Sequence, residues 1–230
     1  MGYTREDVIS KCRIAIKDIS IFYKQGFINY RGRTTDTNEL YNEVISKFVC
    51  DNLDVFRSIP CITRVSSYKV EGHDGEYSEN SNRLEEITAM KMFNQCKDGS
   101  KFDYIGKIID YQIPLKNVRD DDVGKIDLLS VCGNTIFVLE LKNEDSIETM
   151  LRCVLEGYTY LKTVDCDKLR QDYNIVEIEQ IKASPLVFRN MAQWKEMQEE
   201  RTHLKRLMKL LDSVPYYVAE VNKKYVITRG

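Results

Sequence analysis

Residues 124–143, GKIDLLSVCGNTIFVLELKN, constrain the fold more than any other stretch of this chain. Two apolar runs flank Gly133-Asn134, a Gly-first pair suited to a two-residue type II′ turn, so the segment predicts a β-hairpin. A two-residue loop fixes the register. Cys132 then faces Thr135, Val131 faces Ile136, Asp127 lands opposite Glu140, and Lys125 lands opposite Lys142. Alternation puts Glu140 and Lys142 on one face of their strand with Ile136 and Val138, and Asp127 shares that face. Directly opposed residues have Cβ atoms about 4.5–5.5 Å apart, and like charges there repel. Two carboxylates set among Ile, Leu and Val also lose hydration. Something positive must compensate, and the candidates are Lys142 and a divalent cation held by carboxylate oxygens.

The flanking sequence alternates helix and strand patterns. Apolar residues at helical spacing predict a helical pair over 5–25 and 38–59, followed by a polar, turn-rich loop over 68–82. A third helix is expected from about 81 to 95, with Ser81 or Asn82 as N-cap and Ala89, Met92, Phe93 and Cys96 facing inward. Strands follow at 107–115, 124–131 and 135–142. A helix over 146–163 is expected next, opened by Asp145 or Ser146 with Glu148 in a capping box. A strand at 181–188, an amphipathic helix at 190–211 and two short strands around Asn222-Lys223 complete the pattern. The expected organisation is a helical N-terminal extension over 1–65 and an α/β domain over 66–230.

Composition narrows the class. The chain has 230 residues, 43% hydrophobic and 30% charged, with 11 Gly and 4 Pro, which excludes low-complexity and disordered classes. No apolar run approaches the roughly 18 residues of a membrane span, and MGYTREDVIS lacks a hydrophobic signal region, so a cytoplasmic location with no membrane partner is expected. Seven dispersed cysteines never form CxxC, which points to reduced thiols. The 34 basic and 36 acidic residues nearly cancel, so any nucleic-acid surface must be local. His73 and His203 stand alone in sequence, and no phosphate-binding Gly-rich motif occurs.

The pattern Ile126-Asp127, then Glu140-Leu141-Lys142 on the next strand, resembles the PD-(D/E)xK nuclease superfamily, whose Pro is here Ile126. The likeness spans about Asn82 to Asn222, a helix, three strands, a helix and a strand. It implies a restriction-endonuclease-like mixed central sheet flanked by helices. It also implies a Mg2+-dependent nuclease, with Mn2+ able to substitute, acting on nucleic acid and on DNA first. Asp127, Glu140 and Lys142 would be catalytic, with Asp127, Glu140 and the Leu141 carbonyl as metal ligands. The superfamily often adds an acid from the first core helix, here Glu85 or Glu86, with Glu85 preferred. The alternative for both is a pair of first-turn acids complementing the helix dipole.

Glu148, Arg152, Glu156 and Tyr160 form an i, i+4 row after the Glu-x-Lys strand. The resemblance makes Arg152, Glu156 and Tyr160 candidates for substrate binding, against a plainer reading as surface ion pairs. Lys107, Lys116 and Arg119 are read as a solvated surface, Asp120-Asp121-Asp122 as an acidic turn, and Trp194 as core. The basic half of helix 190–211, with Lys195, Arg201, Lys205, Arg206 and Lys209, is read as a solvated face. The rival function is a catalytically silent nucleic-acid-binding or scaffold module whose acids are neutralised by Lys125 and Lys142. Residues 1–65 are compatible with dimerisation, substrate recognition or partner binding.

Overall fold

The computed structural model describes residues 2–115, 117 and 124–229. Lys116, Arg119 and the Asp120–Asp122 run lie outside them. Four helices come first: α1 (Arg5–Ala15), α2 (Tyr41–Asp51), α3 (Leu53–Arg57) and α4 (Leu84–Gln95). A mixed sheet follows in the order β1 (Lys107–Pro114), β2 (Lys125–Cys132), β3 (Thr135–Lys142), β4 (Gln180–Phe188), β5 (Tyr216–Val221) and β6 (Lys224–Arg229). The first three strands form an antiparallel meander, β3–β4 and β4–β5 are parallel, and β5–β6 closes as a hairpin. Parallel neighbours need long crossovers. α5 (Met150–Thr163) and α6 (Cys166–Asp172) supply the first, and α7 (Ala192–Gln198) and α8 (Thr202–Leu210) the second.

The turn chemistry behaves as expected. Gly133 has φ +56° while Asn134 is not left-handed, the type II′ pattern, and the ladder pairs Cys132 with Thr135 through to Leu128 with Leu139. Asn222 and Lys223 are both left-handed, φ 51° and 62°, as a type I′ turn requires.

Alternation then sorts the sheet into two faces. Leu128, Leu139 and Leu141 pack with Ala89, Met92 and Cys96 of α4 on one side. Leu129, Ile136 and Val138 pack with Leu151, Val154 and Leu155 of α5 on the other. Burying each such side chain is worth about 1.5–3 kcal/mol. The N-terminal residues Val8, Phe22, Ile45 and Phe56 belong to the α5 side of this core, so the helical extension is packed onto the sheet through a continuous apolar cluster.

Several expected helices are shorter or broken. The helix expected over 5–25 stops at Ala15 and continues as two 3-10 turns, Ile19–Lys24 and Gly26–Asn29, which bury Phe22, Tyr23, Phe27 and Ile28. The 38–59 helix breaks at Asn52, whose Nδ2 donates to the Phe48 carbonyl at 2.8 Å and so satisfies the end of α2. Helix α4 starts at Leu84 with Arg83 rather than Ser81 or Asn82 at its N-cap. Helix 190–211 divides between α7 and α8, where buried Arg201 donates Nε to the Glu196 carbonyl at 3.3 Å. The short α6, capped by Asp165, was not foreseen. Trp194 is half-buried at the edge of the core rather than within it.

Candidate functional site

The face shared by α5 and β3 holds the polar exceptions to an apolar core. Glu140 and Lys142 extend the Ile136–Val138 face to the end of β3, and both are buried. At Gly157 α5 lies against this face with room for a methyl: a Cβ there would stand at ordinary contact, 3.5 Å from Glu140 Cβ and 3.7 Å from Ala183 Cβ. Thr149, not Asp145 or Ser146, caps α5 by accepting from Arg152 N at 3.2 Å. The helix therefore begins four residues later than expected, and Glu148, just ahead of it, is not in a capping box.

Glu148 instead belongs to the cluster around Lys142. Lys142 Nζ lies 2.7 Å from Glu140 Oε1, 3.0 Å from Glu148 Oε2 and 3.4 Å from Glu156 Oε2. Burial pulls the ammonium's pKa down, and the carboxylates of Glu140 and Glu156 more than reverse this, so the lysine stays charged. Glu140 is raised well above the usual carboxylate range by burial first and by Asp127 next. Burial also acts on Glu156, but Lys142 and Arg152 overcome it and hold this acid below its ordinary value.

Asp127 stands one residue beyond the last ladder pair, where the register continues toward Glu140. Its Oδ2 accepts the Leu141 backbone N–H at 2.9 Å, and its Oδ1 accepts Gln112 Nε2 at 3.0 Å. In an antiparallel pair a residue's N–H and C=O face the same neighbour, so the Leu141 carbonyl lies on the Asp127 side. Asp127 is half-buried. Desolvation pushes its carboxyl up to about 7, with Lys142 opposing and Glu85 reinforcing the rise. Gln112 holds φ +48°, a left-handed conformation costing a non-glycine residue about 1–3 kcal/mol. That strain sits at the residue that fixes Asp127.

The two acids of α4 go separate ways. Glu85 is oriented toward the end of β3: burial raises its carboxyl, while Lys142 and then the Asn143 backbone oppose the rise. Glu86 turns outward to Arg83 at 3.2 Å and is not brought to the cluster, because α4 presents its adjacent first-turn positions in different directions.

The i, i+4 row is likewise largely occupied. Arg152 Nε lies 3.3 Å from Glu156 Oε2, its Nη1 donates to the Tyr23 carbonyl, and its guanidinium stacks 4.9 Å over the Tyr23 ring. Tyr160 donates to Glu156 Oε1 at 2.9 Å and accepts from the Tyr23 hydroxyl at 3.4 Å. Arg152 and Tyr160 thus tie the N-terminal segment to α5, and all three expected substrate-binding side chains have internal partners. Tyr23 was absent from the sequence reading because its contacts span more than a hundred residues. Gln112 was absent because nothing in the β1–β2 connection fixes a register. Glu148 was visible but assigned to a cap.

For a cation, the available donors are carboxylates of Asp127, Glu140 and Glu85 and the Leu141 carbonyl, all hard oxygens suited to Mg2+ or Mn2+. Among the described residues Glu140 Oε2 is buried with no hydrogen-bond partner, an open acceptor inside the cluster. No group of three His, Cys, Asp or Glu side chains among the described residues is already gathered to hold a metal ion. Mg2+ commonly takes only one or two carboxylates and completes its shell with water and substrate phosphate, so this donor set fits it.

No family model, curated protein or solved structure matches the chain. Among the described residues no helix is long and apolar enough to cross a membrane.

Proposed function

We propose that this chain is a Mg2+-dependent nuclease that hydrolyses phosphodiester bonds in nucleic acid, DNA first, on a restriction-endonuclease-like fold. The observation that carries the reading is that Asp127 of β2, Glu140 and Lys142 of β3 and Glu85 of α4 stand near enough at one end of the sheet to shift one another's charge, with Glu140 Oε2 left without a hydrogen-bond partner among the described residues. The order of elements adds support. A helix, a three-stranded meander, a helix and a parallel fourth strand follow one another as the PD-(D/E)xK resemblance implies.

In this reading Asp127, Glu140 and the Leu141 carbonyl hold the ion, and Glu85 supports it from α4. When bound, Mg2+ supplies an acidified water and neutralises charge on the phosphate oxygens. Asp127 and Glu140 would serve as ligands in their carboxylate forms, and the ion's charge would offset the burial that raises both. Lys142 keeps its proton at neutral pH, and would turn one Nζ–H from a carboxylate partner to the attacking water or to a phosphate oxygen. Glu148 and Glu156 fix the lysine's position.

The rival, a silent binding or scaffold module, draws on one observation: Lys142 is already paired with Glu140, Glu148 and Glu156 within the cluster. A Mn2+ titration by calorimetry separates the two. The nuclease reading expects saturable binding that Asp127→Asn and Glu140→Gln both weaken; binding that is absent, or indifferent to both substitutions, supports the silent module.

A further inference from the structure

Between α7, α8 and the β5–β6 hairpin lies an open groove of about 810 Å³, separate from the Lys142 cluster. Four cations line it: Arg189, Lys205, Lys209 and Arg229. All four are exposed, and none forms an ion pair among the described residues. The acid on its wall, Asp212, is drawn to Lys182 at 2.8 Å. A nearly neutral chain thus carries a local, uncompensated basic surface.

The lining has two further properties. Trp194 stands half-buried on the wall and Tyr217 on the floor, so aromatic surface lies within reach of the cations. Ser213 is 6% exposed, and its Oγ has no hydrogen-bond partner. A buried hydroxyl left unpaired is costly unless something entering the groove pairs with it. Cations, an unpaired hydroxyl and an aromatic wall together describe a site for phosphate groups and a stacked base. The volume falls within the roughly 300–1,000 Å³ of ligand clefts, which suits a short piece of one strand.

The groove's placement relates it to the cluster. Lys142 pairs with Val187, Val187 with Tyr217, and Tyr217 with Thr228, one transverse row across four strands. Partners in a row point to the same face, so the floor and Lys142 share a side of the sheet, two strands or roughly 10 Å apart.

We propose that this groove binds a single-stranded segment of nucleic acid, its phosphates on Arg189, Lys205, Lys209 and Arg229 and one base against Trp194. The inference rests on the nuclease reading for its biological sense, since it supplies a holding site beside the candidate centre. Its physical basis is independent of cleavage.

The test uses the full chain carrying Glu140→Gln and measures anisotropy of a short fluorescent oligothymidylate, with the oligouridylate as a second arm. Lys205→Glu with Arg229→Glu, both at exposed positions, is expected to weaken binding at least about tenfold and to flatten the slope of log affinity against log salt by about 0.7 per lost phosphate contact. Trp194→Ala is expected to weaken it about tenfold without changing that slope, and Trp194→Phe to restore most of the loss. Affinity and slope unchanged in the charge-reversal variant would overturn the proposal. So would equal binding of a polyglutamate peptide with indifference to Trp194→Ala, which would make the groove a plain anion or peptide surface. Preference for one oligonucleotide arm identifies DNA or RNA, and either supports the proposal. Metal-dependent cleavage by wild type with groove-indifferent binding refutes the groove alone; groove-dependent binding without cleavage refutes the nuclease reading alone.

Discussion

Replacing Lys142 with Met removes the one cation at the centre of the cluster while keeping most of the side chain's volume. The ammonium sits within 3.4 Å of oxygens from Glu140, Glu148 and Glu156, and only 7% of the side chain is exposed. Breaking a buried ion pair from one side costs about 3–5 kcal/mol, because the partner charge is left uncompensated. Here the partners have an escape: they can take up protons. Glu140 and Asp127 are already raised in the folded protein, and loss of the lysine raises them further. A carboxyl whose folded pKa exceeds its unfolded value near about 4–4.5 favours the fold below that value and disfavours it as pH rises through the folded one. The deficit of K142M is therefore expected to be small near pH 4.5 and to reach about 3–5 kcal/mol by pH 8. With a urea m-value of about 3 kcal/mol per M, the pH 8 midpoint falls by about 1–2 M. Millimolar Mg2+ at pH 8 should recover part of the loss, since an ion that binds only the folded state stabilises it by mass action. A deficit below about 1 kcal/mol at pH 8, or one that does not change with pH, would refute the view that this lysine holds together a desolvated carboxylate cluster.

Other substitutions probe the same geometry. Glu140→Gln removes the acid with the unclaimed oxygen but leaves Lys142 bonded to Glu148 and Glu156. Urea unfolding should shift by no more than about 1 kcal/mol, while cleavage should fall about 10²–10³-fold. Asp127→Asn addresses a carboxyl raised to about 7. Metal-free wild type should lose stability as pH rises from about 4 to 7, and the Asn variant, which keeps the shares of Glu140 and Glu85, should show a shallower slope and be about 2–4 kcal/mol more stable at pH 8; superimposable profiles in thermal melts would contradict this. Gly157→Ala adds a methyl at ordinary contact distance from Glu140 and Ala183 in the middle of α5. It should raise stability by about 0.5–1 kcal/mol through helix propensity, and a loss in urea midpoint would show that α5 cannot tolerate even that contact.

Much of the sheet was legible because its chemistry is local. Gly133-Asn134 fixed one register and Asn222-Lys223 another, and period-two alternation marked β2 and β3 with their acids in place. The candidate site was legible to the same extent: Asp127, Glu140 and Lys142 come from a single hairpin. What lay beyond sequence was set by contacts distant along the chain. Glu85 and Glu86 are adjacent, and only the docking of α4 across the end of β3 separates them. The links from Arg152 and Tyr160 to Tyr23 are not visible in the i, i+4 row, because the 3-10 turn carrying Tyr23 arrives from the N-terminal segment. The break between α7 and α8 carries neither Gly nor Pro; it depends on Arg201 finding the Glu196 carbonyl and Asn42.

The central claim is that one end of this hairpin hydrolyses phosphodiesters with a divalent ion. Its most direct test is cleavage of labelled duplex, single-stranded and branched DNA and of RNA, by wild type and Glu140→Gln prepared identically, with Mg2+ or with EDTA. Wild type should cleave at least one substrate with Mg2+ and none with EDTA, and the variant should cleave about 10²–10³-fold more slowly. No cleavage of any substrate, or equal cleavage by Glu140→Gln, would contradict it.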